Sequence, residues 1–76
     1  MELKIKQKTT LGDLPNGSLF LSEDKETLGL KSEYKTLGNA IEAHIVGSGE
    51  MFWGGTHSNF EQQRLIVWEV ELNKNN

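Results

Sequence analysis

The stretch RLIVWEVEL, Arg64 to Leu72, is the strongest strand signal in the chain and sets its fold class. Ile66, Trp68, Val70 and Leu72 recur with a period of two, the mark of one face of a β-strand. Glu69 and Glu71 restore a polar opposite face, but Leu65 and Val67, also on that face, are apolar. A strand that is apolar on both sides for half its length has two surfaces to cover. One is the domain core, and the other is predicted to be a neighbouring subunit. The competing reading is that the chain's own loop lies over Leu65 and Val67.

Working outward, the same period recurs. In Glu2 to Lys8, Leu3 and Ile5 alternate with Glu2, Lys4, Lys6 and Lys8, which predicts a half-buried strand with a charged outer face. If the first and last strands pair antiparallel, Lys4 and Lys6 face Glu69 and Glu71, each opposed pair contributing about 0.2–1 kcal/mol. Thr10 and Asp13 have the spacing of a helical cap, and Pro15-Asn16-Gly17 a tight turn, so one helical turn is expected here. SLFLS at 18–22 reads as a strand with Leu19 and Leu21 on one side and Phe20 on the other. Thr27 to Tyr34 returns with Leu28 and Leu30 on one face. AIEAHIV at 40–46 sets Ile41, Ala43 and Ile45 against Glu42, His44 and Val46. Glu50 to Trp53 reads as a short aromatic strand, GGTHSNFEQQ as a loop, and Asn73 to Asn76 as a fraying tail. The expected fold is all-β: one domain over residues 1–76, an antiparallel meander or small barrel of about six short strands, with one helical turn near the N-terminus.

The chain has 76 residues, no cysteine and a formal charge of −3. A domain this short buries only about 60% of the surface its unfolded chain exposes, so it needs a staple. Without cysteine there is no disulfide, and His44 and His57 lie too far apart to suggest a metal site. Self-association remains, and a closed homo-oligomer is the expectation. The absence of cysteine suits a reducing compartment. MELKIKQK has no apolar stretch of a secretory signal, and the longest apolar run, Leu65 to Trp68, falls far short of a membrane span of about 20 residues. A soluble, cytoplasmic protein with no membrane association follows as the expectation. The acidic balance argues against long nucleic acid as a partner.

The unusual stretch is GSGEMFWGGTH, residues 47 to 57. Glycines let backbone N–H groups converge on an anion. Phe52 or Trp53 could stack on a planar base, at about 1–3 kcal/mol per base, while Ser48, Thr56 and His57 could read polar edges. Against this stands a structural use, with the glycines serving turns and an aromatic serving the core. Because strand neighbours alternate, Phe52 and Trp53 cannot both face one core. Lys31 and Lys35 share a face if their strand persists, and could supply cations to a phosphate while Tyr34 offers a ring or hydroxyl. The alternative for these three is a solvated face and a core tyrosine. Arg64, the only arginine, brings a planar five-donor group that could clamp a phosphate or pair with Glu61 or Glu50. No catalytic motif occurs; a His–carboxylate acid–base pair, for instance His57 with Glu50 or Glu61, is the kind of arrangement that any short chain with eleven carboxylates offers.

The runs LPNGSLF, KSEY and EAHIVGSGEMFWGGT resemble a type of small bacteriophage protein with a Lys-[Ser/Thr]-Glu-Tyr segment, an apolar strand and a Gly-Ser-Gly-Glu-aromatic-Gly-Gly block. The resemblance covers about residues 11 to 56 and carries no catalytic motif. It implies a viral accessory protein of the host cytoplasm that inhibits host defence, some such proteins being oligomeric sponges for nucleotide signals. The combined expectation is a non-catalytic homo-oligomer, without cofactor, that sequesters a small anionic, planar, nucleotide-like molecule. Phe52 and Trp53 would stack the base, with Ser48, Gly49, Gly54, Gly55, Thr56 and His57 around it and Lys31, Tyr34, Lys35 and Arg64 balancing charge. The pocket would lie at a subunit interface. The alternative is a protein-interaction module that docks onto a host protein.

Overall fold

The computed structural model describes residues 2–35, 40–53 and 58–73. It contains the strands β1 (Glu2–Thr10), β2 (Leu19–Ser22), β3 (Leu28–Lys35), β4 (Ile41–Ile45) and β5 (Ile66–Asn73). A five-residue helix, α1 (Asn59–Gln63), precedes β5. All five strands form one antiparallel sheet in the order β1-β5-β2-β3-β4. The last strand therefore lies in the interior of the sheet, between β1 and β2.

This corrects the expectation of a six-stranded meander or barrel. Insertion of β5 between β1 and β2 breaks the meander, and the sheet stays open, with β1 and β4 at its edges. The aromatic stretch 50–53 is not a full strand. It makes one bridge, His44 to Met51, with Ile45 N donating to Glu50 O (2.7 Å) and Phe52 N to Ala43 O (2.8 Å). Phe52 then turns into the core instead of extending the ladder.

The helix also lies elsewhere. At Thr10 the expected cap forms, with Asp13 N donating to Thr10 Oγ1 (3.2 Å) and Leu14 N to Thr10 O (2.9 Å), but it closes only a turn. The helical turn is α1, in the segment read as loop. Ser58 caps it, its Oγ accepting from Glu61 N (3.1 Å). Ser58-x-x-Glu61 is a capping-box spacing that the sequence carries openly. At the other end, Asn73 pairs with Glu2 instead of fraying.

One face of the sheet carries the core. Phe20, Ile41, Ala43 and Val67 are buried there under Leu11, Leu14 and Phe52 from the connections, with Ile45 and Leu65 packed alongside. Phe20 stands edge-on to Phe52, ring centroids 5.1 Å apart, and its ring tip reaches over Gly29 so closely that a Cβ there would clash with it. Leu65 and Val67 are thus covered by the chain's own core, and the prediction that they meet another subunit is corrected. The register places Ile5, Val70, Leu19 and Leu30 in one row on the opposite face. Leu3–Leu72 and Trp68–Leu21–Leu28 form the rows on either side. β1 is not half-buried: Leu3 and Ile5 are exposed. Its charged positions fall as expected, Lys4 opposite Glu71 and Lys6 Nζ 3.5 Å from Glu69 Oε2. A bulge after Ile5 lets Gln7 Nε2 donate to Glu69 Oε1 (2.7 Å).

Candidate functional site

The residues expected to form one site are distributed over the molecule. Phe52 is a core residue, which removes it as a stacking surface; its alternation with Trp53 leaves that indole 40% exposed. Gly47 and Gly49 hold positive φ (108° and 76°) in the turn after β4, and Ser48 Oγ accepts from Glu50 N (3.2 Å). That is the structural use of glycine, where a side chain would strain the backbone. Gly54, Gly55, Thr56 and His57 lie outside the described residues, and with His57 the proposed acid–base pair. Tyr34 and Lys35 close β3, and the expectations for their side chains also lie outside what is described.

Lys31 has a different role from the one expected. Its side chain points to the core side of β3 and is 6% exposed. Its Nζ donates to the carbonyl oxygens of Leu11 (2.8 Å), Gly12 (3.2 Å) and Leu14 (2.6 Å). Three ammonium hydrogens meet three backbone acceptors that the Thr10–Leu14 turn would otherwise bury unsatisfied. The lysine therefore clamps that turn over the core, and its charge remains beneath the surface there.

That charge underlies a cleft of about 570 Å³. Thr10, Gly12, Asp13 and Asn16 form one wall, Lys31, Ser32 and Glu33 of β3 the floor, and Ile41, Gln63 and Arg64 the other wall. Two close approaches set its shape. Gly12 N donates to Gln63 O (2.9 Å), and a Cβ on Gly12 would stand 2.9 Å from that same oxygen, so glycine lets the two walls meet. The fully buried Gln62 amide imitates a strand partner, its Oε1 accepting from Ile41 N and its Nε2 donating to Ile41 O, both at 2.9 Å. This fixes α1 to β4 and places Gln63 and Arg64 at the rim. The Arg64 guanidinium lies 5.3 Å from the Phe60 ring.

Of the residues singled out in the sequence, Lys31 and Arg64 meet at this cleft. Asp13, Asn16, Ser32, Glu33 and Gln63 join them; local patterns place some of these in turns and strands, but none marks them as one site, because strand order and Gly12 bring them together. No three His, Asp or Glu side chains among the described residues gather as a metal-holding group. Among those residues no helix is long and apolar enough to cross a membrane. Comparison with protein-family models, with curated proteins and with solved structures finds no match to this chain.

Proposed function

We propose that this protein binds a small anionic, nucleotide-like molecule in the cleft between the Thr10–Asn16 segment, β3 and the end of α1, and holds it without transforming it. The observation that carries this reading is the meeting of Lys31 and Arg64 at one cleft of about 570 Å³, inside the roughly 300–1,000 Å³ usual for small-ligand sites. The buried ammonium supplies a positive field, and Arg64 a planar donor group suited to phosphate. Asp13 and Glu33 balance these charges, which suits a ligand that brings hydroxyl or amino donors along with its anion, as a nucleotide does. The resemblance over residues 11 to 56 supports a bacteriophage setting, with a host signalling nucleotide as ligand and sequestration in the host cytoplasm as purpose.

Thermal melting with cyclic dinucleotides and ADP-ribose derivatives tests this. A ligand at a hundred times its Kd adds about 2.7 kcal/mol of stability, a rise of roughly 11–22 °C at about 4–8 °C per kcal/mol for a domain of this size. Arg64→Gln should remove most of the rise, and the ligand should be recovered unchanged. No shift with either class at millimolar concentration rejects the reading. A second reading, docking onto a host protein, is favoured by the exposed Trp53; Trp53→Ala would then abolish stoichiometric capture of that protein while nucleotides have no effect.

A further inference from the structure

We infer that the uncovered face of the sheet is the contact surface for a second copy of this chain, the two sheets packing face to face with their cores and clefts outward. The inference is independent of what the cleft binds.

The face is apolar across its centre. In the row Ile5, Val70, Leu19, Leu30 and the flanking rows Leu3–Leu72 and Trp68–Leu21–Leu28 there is no charged side chain. Charge lies around this centre: Lys8 on β1 and Lys25 of the β2–β3 turn stand over the Trp68 ring at one end, and the His44–Glu42 pair (3.2 Å) lies on β4. An apolar centre with a polar rim is the anatomy of a protein interface. Leu3, Ile5, Leu30 and Leu72 are each about two-fifths exposed. With their partly exposed neighbours they offer on the order of 500 Å² of apolar surface, at the upper end of the roughly 300–600 Å² patches of monomers. That also matches the apolar share of the ~800 Å² that each partner buries in a standard interface.

Two further features favour a copy of the same chain, arriving on the face. The edges are guarded: β1 carries Lys4, Lys6 and Lys8 and a bulge, and residues 50–52 lie along β4. Such lysines and bulges oppose edge-to-edge pairing. Beyond the end of β2, Glu71–Asn73 and their partners Glu2–Lys4 project as a two-stranded ribbon, part of a molecule 42 Å long and 20 Å across. A lone ribbon is marginal in water, and Leu3 and Leu72 sit on its apolar side. In a two-fold pair each ribbon lies on a surface of its own composition, so one contact covers both unsupported parts, as an isologous interface requires. It also supplies the staple that a 76-residue chain without cysteine lacks.

Sedimentation velocity of the full chain from about 1 to 200 μM tests the inference. The expected result is a shift from the 8.6 kDa monomer to a species of twice that mass. Leu30→Glu should weaken the association at least a hundredfold, whereas Phe60→Glu, exposed on α1 and outside the three apolar rows, should leave it unchanged. If Leu30→Glu fails to fold, methyl NMR of the wild type with a paramagnetic cosolute decides: Leu3, Ile5, Leu30 and Leu72 methyls should become shielded as concentration rises. A wild type that stays monomeric at 200 μM overturns the inference, as does a dimer in which those methyls stay accessible or that Leu30→Glu leaves intact, or an assembly larger than two.

Discussion

The two faces of the sheet differ in a way opposite to their composition. The face turned to the core carries small or polar residues among its large ones: Gly29, Lys31, Ala43 and Glu69 beside Phe20 and Val67. The other face is almost wholly leucine, isoleucine, valine and tryptophan, yet several of these side chains remain substantially exposed. What distinguishes the faces is the path of the connections. Leu11, Leu14 and Phe52 all fold onto one side, held there by the Lys31 clamp, the Gly12–Gln63 contact and the Gln62 amide. On the other side the β2–β3 turn reaches over one end, where Trp68 Nε1 donates to Glu23 O (3.0 Å) and Lys25 stands 4.6 Å from the indole. Coverage follows the polar and backbone contacts that anchor loops, and hydrophobicity alone does not direct it.

Substitutions on each side would sharpen or break that contrast. The largest effect is expected from Phe20→Ala, which empties the centre of the covered face and should cost about 3–5 kcal/mol in urea unfolding. Lys31→Met keeps the apolar stem but leaves three turn carbonyls without their donor, at about 1–3 kcal/mol for an unsatisfied buried group. A net loss near 3 kcal/mol is expected, with faster amide exchange at Leu11 to Leu14; a neutral result would mean that the clamp does not hold the turn. Gly29→Ala presses a methyl into the Phe20 ring and should cost about 1–3 kcal/mol. On the open face, Leu30→Ser should change the melting point of dilute protein by no more than about 0.5 kcal/mol equivalent, and lower it further only at concentrations where copies associate.

The smallest effect concerns the turn that touches the open face. Asp24 is held below the ordinary 3.8 by the Ser22 hydroxyl and then by the Glu26 N–H. A depressed folded pKa stabilises the fold above the ordinary value and is lost as pH falls through the folded one. The urea midpoint of wild type should therefore exceed that of Asp24→Asn above pH 4, and the difference should close as the pH falls below 3.8.

Much of this fold was legible residue by residue. The opposition of Phe20 to Leu19 and Leu21 and of Ala43 to His44 follows from alternation, which the pleat imposes locally, and the facing of Lys4 and Glu71 follows once β1 and β5 pair antiparallel. The Ser58-x-x-Glu61 spacing was equally available, but the segment reads as loop and the helical turn is expected at Thr10. The candidate site was much less legible. Arg64 and Lys31 could be named as cations, but their meeting depends on a helix docked by Gln62 to a strand twenty-one residues earlier. Lys31 looked like a solvent-facing cation because nothing within its own strand shows that a turn seventeen to twenty residues away presents its carbonyls.

By itself the amino-acid order determined that strands would form, where they begin and end to within a few residues, and that each would have two distinct faces. Only the tertiary structure decided which face is the core. That choice depends on β5 entering between β1 and β2 and on where three loops come to rest, contacts between residues far apart in sequence that no local period encodes.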